Sequence, residues 1–438
     1  MKKSSCYSSF FTVLVIAAFF MGITSCASQG TAVKVSVVKQ GDKYRLLRNG
    51  KSYVIKGAGI EVSDFEAFAL HGGNSVRNWT TQNSKETTLS ILNKAHSLGL
   101  TVSLCLSLAK EHWGFDYNDE AAVRAQYEKM RAEVIKYKDH PALLTWIIGN
   151  ELNFNYTNPK VYDAVNDISK MIHEIDPNHP TTTTLAGLDK KAVKDIQQRA
   201  TDLDFISFQV YGQLAILPKT IKEINYDKPF MVTEWGTIGF WEMPKTKWGA
   251  PIELNSSDKA LNTLTGYQKK LQKLDSQLIG DYVFLWGQKQ ERTPTWFGMF
   301  TEFGHETESV DVMHYIWNGK WPSNRVPAIE SMILNSQQAP DSIELQSNKY
   351  YTAQINASDP DGDALTYKWE IKPESDSKKV GGDFEEGIKS LNGIFNNASS
   401  SSVEFAAPKA PGAYRLFVYV FDGHNNAGHA NIPFLVKN

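Results

Sequence analysis

From about residue 34 to residue 330, the chain alternates short apolar runs with longer amphipathic stretches. Eight of the apolar runs predict β-strands, at 53–59, 75–79, 101–106, 143–149, 181–185, 205–210, 229–233 and 281–286. The stretches between them show apolar residues at helical spacing, most clearly at 85–98, 120–137, 162–175 and 259–274. Strand–helix repetition over about 250 residues is typical of a (β/α)8 TIM barrel.

An open, doubly wound α/β sheet is the alternative architecture. Such a sheet usually carries a glycine-rich phosphate-binding loop directly after its first strand. The first predicted strand ends in a Gly-Ala-Gly sequence at 57–59, and no further glycine follows at the required spacing. The barrel is therefore the favoured fold. Ahead of it, residues 33–48 predict a short capping hairpin with its turn around Gly41-Asp42.

The periodicity stops near residues 321–327, and a polar region follows. A β-sandwich over 331–438 is predicted by alternating runs separated by turn residues, at 351–355, 365–371 and 414–421. The segment 359–369 resembles the turn and strand of cadherin-like and polycystic-kidney-disease-type immunoglobulin-like domains, which usually act as spacers or platforms. Its three aspartates could hold Ca²⁺, but Ala364 stands where an EF-hand loop requires glycine, so a solvated turn is favoured.

Residues 1–25 predict a secretory signal peptide, because two lysines precede an apolar run at 10–21 that is too short to span a bilayer. The sequence Ile-Thr-Ser-Cys at 23–26 resembles a bacterial lipobox. Cys26 is therefore expected to carry a lipid, with 26–33 as a tether; an ordinary signal peptide cut nearby is the alternative. The lipid would anchor the protein to a bacterial membrane, and the expected location is the outer membrane and cell surface.

The composition is that of a globular protein long enough for two domains, with 438 residues of which 42% are hydrophobic and 21% charged. The net charge of −2 gives no reason to expect a nucleic acid partner.

Cys6 falls in the signal peptide and Cys26 would be acylated, so no disulfide is expected. The third cysteine, Cys105, lies in the apolar run 102–106 and is expected to be a buried structural thiol. No metal-ligand spacing occurs, and no cofactor is predicted.

Two glutamates close strand-like runs: Glu151 after the fourth predicted strand and Glu234 after the seventh. In a parallel barrel, active-site groups lie at the C-terminal ends of the strands. Two carboxylates facing each other can cleave a glycosidic bond, one as a general acid with a raised pKa and the other as a nucleophile about 5–5.5 Å away. Asn150 precedes Glu151, where its amide could hold a sugar hydroxyl.

The sequences Gly-Asn-Glu at 149–151 and Thr-Glu-Trp-Gly at 233–236 resemble the acid/base and nucleophile motifs of clan A glycoside hydrolases. The resemblance covers most of residues 53–321. It implies a retaining enzyme built on a TIM barrel, with Glu151 as acid/base and Glu234 as nucleophile.

Looser matches to the same clan suggest further site residues. Arg77 matches an arginine that orients the nucleophile, Tyr211 a tyrosine that hydrogen-bonds it, and Trp286 the aromatic floor of the glycone subsite. Alternatively, Arg77 could form a structural ion pair, Tyr211 could lie in a surface turn, and Trp286 could belong to the core. His112 and Trp113 directly follow the third strand and are candidate substrate contacts. Loop tryptophans after strands seven and eight suggest a groove for several sugars: Trp235, Trp241, Trp248 and Trp296.

Within the clan, a lipidated barrel followed by one immunoglobulin-like domain looks most like glycoside hydrolase family 158, whose members cut β-1,3-glucans. The family 2 barrel is also similar, but the strands begin by about residue 53, which leaves no room for the two β-domains that precede the barrel in that family. Glycoside hydrolase families 5 and 26 are alternatives, and their substrates would be β-mannan or β-glucan. The expectation is a retaining endo-β-1,3-glucanase with a polysaccharide substrate. A transglycosylase would use the same residues, and a glycan-binding surface lipoprotein would need neither glutamate.

Overall fold

A computed structural model describes residues 1, 31–62, 65–379, 382–395 and 398–438. The predicted lipobox, with Cys26, lies outside the described residues. Within the described ranges, none of the helices has both the length and the apolar character that crossing a bilayer requires.

A small antiparallel sheet precedes the barrel and consists of β1 (Val35–Gln40), β2 (Lys43–Arg48) and β3 (Lys51–Ser52). Gly41 in the tight β1–β2 turn has a φ of 64°, which glycine adopts without steric cost. Val35 and Leu46 pack against Leu144 and Met231, near the start of two barrel strands. The predicted capping hairpin is thus present, extended by a third strand, at the N-terminal end of the barrel.

In the part of the chain that the structure describes, eight parallel strands close into a barrel, which confirms the predicted TIM fold. Around the ring these strands are β4 (Gly57–Gly59), β5 (Ser75–Arg77), β6 (Thr101–Leu106), β7 (Leu143–Asn150), β8 (Thr181–Ala186), β9 (Phe205–Gln209), β10 (Phe230–Gly236) and β11 (Leu278–Phe284). Each overlaps one predicted run. Most of their residues are buried because both faces of a barrel strand are covered, and this explains the unbroken apolar runs.

An α-helix follows each barrel strand: α1 (Phe65–Leu70), α2 (Thr88–Ser97), α3 (Glu120–Tyr137), α4 (Lys160–Ile175), α5 (Lys190–Arg199), α6 (Leu217–Glu223), α7 (Ser256–Lys269) and α8 (Glu308–Asn318). Short 3-10 helices lie at Glu111–Trp113, Gly212–Ala215, Leu271–Leu274 and Ala339–Asp341. The starts of α2 and α7 differ from the predicted 85 and 259. The side chains of Thr87 and Asn255 accept hydrogen bonds from the backbone N–H three residues later, and these caps fix where the two helices begin.

The C-terminal domain is a β-sandwich, as predicted. Its strands are β12 (Ala328–Leu334), β13 (Glu344–Gln346), β14 (Tyr350–Ser358), β15 (Thr366–Pro373), β16 (Ser402–Ala406), β17 (Gly412–Phe421) and β18 (Ala427–Lys437). One sheet has the order β12-β14-β16 and the other β13-β18-β17-β15. Trp369, Leu416 and Phe434 are among the residues of the core between the sheets.

The acidic turn between β14 and β15 brings carboxylate oxygens of Asp359, Asp361 and Asp363 within 4.8 Å of one another. Two of these carboxylates also accept hydrogen bonds from the interdomain linker. Asn324 Nδ2 donates to Asp363 Oδ2 at 2.7 Å, and the backbone N–H of Arg325 donates to Asp361 Oδ2 at 2.6 Å. The turn therefore helps to fix the linker against the sandwich.

A buried polar network joins the two domains. Glu253, in the loop before α7, is only 6% exposed and accepts hydrogen bonds from Lys259 of α7 and Asn431 of β18. Arg415 of β17 is also buried and donates to the backbone oxygen of Pro251 at 2.8 Å. Burial by itself raises the pKa of Glu253, but the positive charges of Lys259 and Arg415 outweigh it and lower that pKa to about 2.

Replacing Glu253 by alanine is expected to reduce the free energy of unfolding at neutral pH by about 3–5 kcal/mol, because Lys259 is left buried without its partner. The folded-state pKa is depressed, so the stabilisation is present above the ordinary glutamate pKa and is lost as pH falls towards about 2. Urea unfolding at neutral and acidic pH measures both effects. Glu344→Ala, which removes an exposed ion pair with Lys437, is the control and should cost less than about 1 kcal/mol. Equal effects of the two substitutions would contradict the assignment.

Candidate active site

Glu234 lies near the C-terminal end of β10, where the pairing with β9 shifts register between Val232 and Glu234. Such a bulge re-aims a side chain. Glu234 as a whole residue is only 5% exposed. Its Oε1 accepts hydrogen bonds from Arg77 Nη1 at 2.5 Å, Trp79 Nε1 at 2.7 Å and Gln209 Nε2 at 2.9 Å. An ionised carboxylate accepts hydrogen bonds only, so this set of donors suits a negatively charged Glu234.

Tyr211 donates from its hydroxyl to the other oxygen, Oε2, of Glu234 at 2.8 Å. Burial and the negative charge of Glu234 hold the pKa of Tyr211 well above its usual range, so the phenol keeps its proton and stays a donor. Both carboxylate oxygens are therefore fixed, and the orientation of Glu234 is set before a substrate arrives.

Arg77 and Gln209 also tie Glu234 to the end of β7. Arg77 is fully buried, and its second terminal nitrogen, Nη2, donates to Asn150 Oδ1. Gln209 Nε2 donates to the same Asn150 oxygen at 2.7 Å. The amide of Asn150 is thus held in place between β5, β7 and β9, and the residue after it is Glu151.

Glu151 follows β7 in a strained backbone conformation with a φ of 51°, which is uncommon for residues other than glycine. Its backbone N–H donates to Thr184 O, on the neighbouring strand β8, at 3.0 Å. Gly149 has a φ of 75°, and a Cβ there would lie 2.6 Å from Leu152. The Gly-Asn-Glu sequence is therefore needed for the chain to turn at this point and present Glu151 at the strand end.

The carboxyl of Glu151 has a different environment from that of Glu234. Among the described residues, no donor lies within hydrogen-bond distance of it, and burial raises its pKa. The negative charge of Glu234 raises it further, while Lys110 and Arg77 lower it, and the result is a pKa of about 7. Glu151 can therefore hold a proton near neutral pH beside an ionised Glu234. A carboxyl that can be protonated, near a carboxylate held by hydrogen-bond donors, is what an acid and a nucleophile require.

The prediction that Trp286 forms an aromatic floor is wrong. Strand β11 ends at Phe284, and Trp286 is 1% exposed, with its ring packed against Phe68 and Trp317 in the core outside the barrel strands. Phe284 instead adjoins the site. Its ring centroid lies 5.7 Å from that of Trp79 and 6.0 Å from that of Tyr211.

The predicted contacts after the third strand lie on the 3-10 helix Glu111–Trp113. Trp113 is 61% exposed, and its ring lies 4.7 Å below the Nζ of Lys110. His112 is partly buried and packs edge-on against Phe154, with ring centroids 5.0 Å apart. These side chains therefore lie on the same face of the barrel as the loop that follows Glu151.

The predicted groove of loop tryptophans is only partly present. Trp241 is 53% exposed, and its ring packs against Tyr211 at 5.7 Å. Trp235 is fully buried, donates to Asp281 and stacks on the ring of Tyr267. Trp248 is partly buried and Trp296 almost completely buried. The positions of these tryptophans in the sequence could not predict which indole is exposed and which are buried in the core.

Three residues of the site escaped sequence analysis: Trp79, Gln209 and Lys110. A signal existed for the first two. Trp79 lies two residues after Arg77, and Gln209 two before Tyr211, and side chains two apart on an extended chain point to the same face. Lys110 gave no signal, because a lone lysine after a strand usually lies in solvent. Here it is 5% exposed, and among the described residues no carboxylate lies within ion-pair distance of its Nζ.

Replacing Lys110 by methionine tests the electrostatics of Glu151. The positive charge of Lys110 lowers the pKa of Glu151, so removing it should move the alkaline limb of the pH–rate profile upward from about 7. The measurement is kcat/KM against pH. Lys138→Met, which removes a lysine paired with Asp139 after α3, should leave the limb in place. An unchanged or lowered limb in the Lys110 variant would show that the charge does not act on the acid.

Comparison with known proteins supports a glycosidase. Residues 61–245 match the family model described as "Glycosyl hydrolases family 2, TIM barrel domain", and both glutamates fall within the matched segment. This segment of the barrel is therefore similar to the TIM barrel of family 2 glycosyl hydrolases. No curated protein sequence matches the chain.

One solved structure with a TM-score above 0.5 shows that this fold is shared with a known protein. β-Glucuronidase 2 of Bacteroides uniformis, covalently bound to cyclophellitol-6-carboxylate aziridine, aligns with a TM-score of 0.51 at 12% identity, over 92% of this chain and 48% of that one. The chain therefore spans about half the length of that β-glucuronidase. A glycoside hydrolase family 5 mannosidase from Rhizomucor miehei aligns with a TM-score of 0.47 at 12% identity, over 66% of this chain and 97% of that one.

Proposed function

We propose that the protein is a retaining, endo-acting β-glycoside hydrolase that cleaves a β-1,3-glucan. The observation that supports the reaction is the contrast between the two glutamates. Glu234 is fixed by donors on both carboxylate oxygens, and Glu151, without such donors, has a pKa raised to about 7. A held nucleophile beside a group that can give and take a proton is the equipment of double displacement.

In the first step, the carboxylate of Glu234 attacks the anomeric carbon. The glycosidic C–O bond breaks, and Glu151 gives its proton to the departing oxygen, so a glycosyl ester forms on Glu234. In the second step, ionised Glu151 takes a proton from water, and the oxygen of that water attacks the anomeric carbon. The ester bond to Glu234 breaks, and both side chains return to their starting states.

The exposed aromatics support action on a polymer. Trp113 follows β6 and Trp241 follows β10, and both rings are more than half exposed. β6 and β10 are diametrically opposite in the ring of eight strands, so indoles stand on both sides of the strand ends that carry the glutamates. A polysaccharide chain lying across the barrel face could contact both. The choice of β-1,3-glucan rests on the resemblance to family 158 in sequence and domain order.

Product analysis on a polysaccharide panel tests the activity and the substrate. The panel holds β-1,3-glucan, mixed-linkage glucan, β-mannan, xylan and cellulose, each incubated with the purified protein. Oligosaccharides released from β-1,3-glucan alone are the expected result. Release of oligosaccharides from mannan or cellulose instead would leave the catalytic roles of the two glutamates standing and would show that β-1,3-glucan is the wrong substrate. If the protein bound one of the polysaccharides but released no product from any of them, the proposed hydrolase activity would be contradicted and a glycan-binding function favoured.

We also propose that a lipid on Cys26 holds the enzyme on the outer membrane at the cell surface. The support is the lipobox-like sequence at 23–26. Metabolic labelling with a radioactive fatty acid should label the native protein and not the Cys26→Ala variant, which should leave the membrane fraction. Label retained by that variant would contradict the anchor.

A further inference from the structure

The β-sandwich reaches the catalytic face of the barrel through residues 382–388, which follow β15. Trp113 Nε1 donates to Asp383 Oδ1 at 3.2 Å, and His112 Nε2 lies 3.9 Å from Asp383 Oδ2. Two residues further on, Glu385 Oε2 accepts a hydrogen bond at 2.9 Å from the backbone N–H of Arg292, in the loop after β11. The sandwich thus contacts two separate loops at the C-terminal ends of the barrel strands.

These loops are the ones that adjoin the two glutamates. Lys110, whose Nζ lies over the ring of Trp113, is close enough to Glu151 to lower the pKa of that residue. Glu291, next to Arg292, is close enough to raise it. The charge of Glu385 acts in turn on Glu291, and that of Glu234 does as well. The sandwich therefore contacts two loops whose charged side chains act on the catalytic pair, which is not the arrangement of a spacer domain.

The surface at this contact has the character of a binding site. Phe384 is 77% exposed and Trp113 61% exposed, and the two rings lie on segments of different domains that meet at this contact. Asp383 lies beside Phe384 in the chain and accepts a hydrogen bond from the indole of Trp113, so both rings belong to the same contact between the domains. Flat apolar faces with one fixed hydrogen-bond acceptor suit a sugar ring, which has apolar C–H faces and hydroxyls around its edge.

We propose that Trp113, Asp383 and Phe384 form a sugar-binding subsite of the substrate cleft, built from both domains. Its occupant is a glucosyl unit of the polysaccharide, several units along the chain from the bond that is cut. The inference rests on the proposed function and adds that the sandwich selects long substrates. Asp383 orients the indole of Trp113, and Phe384 supplies the face contributed by the sandwich.

Phe384→Ala and Trp113→Ala test the subsite through substrate length. For each variant, kcat/KM is measured on long β-1,3-glucan and on an aryl β-laminaribioside, which has only two glucosyl units. The ratio of the long to the short value should fall about tenfold, through KM for the long substrate, as the loss of one aromatic contact implies. Tyr350→Ala is the matched control, since Tyr350 is an aromatic residue of the same sandwich with 65% exposure. The control should keep the wild-type ratio.

A second measurement separates failure of the subsite from failure of the proposed function. Retardation in gels containing β-1,3-glucan reports binding of the full chain without turnover, and it is compared with and without Phe384→Ala in a Glu234→Gln background. Weaker retardation in the Phe384 variant, with the Tyr350 variant unaffected, supports the subsite whatever the catalytic role of Glu234. Unchanged retardation, or a kcat/KM loss equal on both substrates, would overturn it.

Discussion

Replacing Glu234 by glutamine is expected to reduce turnover of the polysaccharide by a factor of about 10⁴ or more, because the covalent glycosyl-enzyme can no longer form. Glutamine keeps the volume of the side chain and one acceptor oxygen, which can face either Trp79 or Tyr211 but not both, because these two residues donate to different oxygens of Glu234. Glu234→Ala should lose as much activity, but it leaves the buried guanidinium of Arg77 without its negative partner and is expected to be less stable. The measurements are kcat by reducing-end release and the thermal unfolding midpoint of each variant.

The control for this loss is Glu242→Gln, in the loop after β10. Glu242 is exposed and accepts a hydrogen bond from the backbone of Gly212, so it lies close to Tyr211 without contacting Glu234. Its replacement should change turnover less than about twofold, as surface substitutions usually do. A folded Glu234→Gln variant that kept about a tenth of the wild-type activity would be incompatible with covalent catalysis by Glu234.

The second large effect is expected from Glu151→Ala, and it should depend on the leaving group. On the polysaccharide, whose leaving alcohol needs a proton, turnover should fall by about 10²–10⁴-fold. On an aryl glycoside with an acidic phenol, formation of the glycosyl-enzyme should be nearly unaffected, because that phenolate departs without protonation. The alkaline limb of the pH–rate profile, expected near the pKa of about 7, should also disappear. Pre-steady-state release of the phenol and steady-state kcat measure the two steps.

Glu291 is the competing candidate for the acid, because burial raises its pKa too and it acts electrostatically on both glutamates. Glu291→Gln should keep the alkaline limb, displaced to lower pH, since its negative charge raises the pKa of Glu151. The turnover of this variant should depend on the leaving group in the same way as that of the wild-type protein. If turnover became dependent on the leaving group in the Glu291 variant and not in the Glu151 variant, Glu291 rather than Glu151 would be the general acid.

The barrel was predictable because its signals are local. A strand covered on both faces has an unbroken apolar run, and Glu151 and Glu234 stand out because each charge interrupts such a run at its end. The orientation of Trp286 was not predictable in this way. The strand ends at Phe284, two residues before the predicted end, and which aromatic ring faces the site depends on that end.

The contribution of the sandwich had no local signal at all. Asp383 is separated from Trp113 by 270 residues, and an Asp-Phe-Glu sequence in a polar region predicts an ordinary solvated loop. Lys110 is similar, since its burial arises only when the loops after β6 and β7 pack together. Glu111 shows that packing, because its carboxylate accepts hydrogen bonds from the backbone of Thr157 and Asn158. Long-range contacts of this kind are set by the folded chain rather than by a pattern within one segment.

The most direct test of the central claim is the anomeric configuration of the first product, followed by proton NMR during hydrolysis by the wild-type protein. The substrate is the β-linked polysaccharide that the panel identifies. Double displacement through Glu234 and Glu151 predicts that the β-anomer appears first and the α-anomer only later, through mutarotation. Initial release of the α-anomer would show a single displacement by water and would contradict Glu234 as the nucleophile.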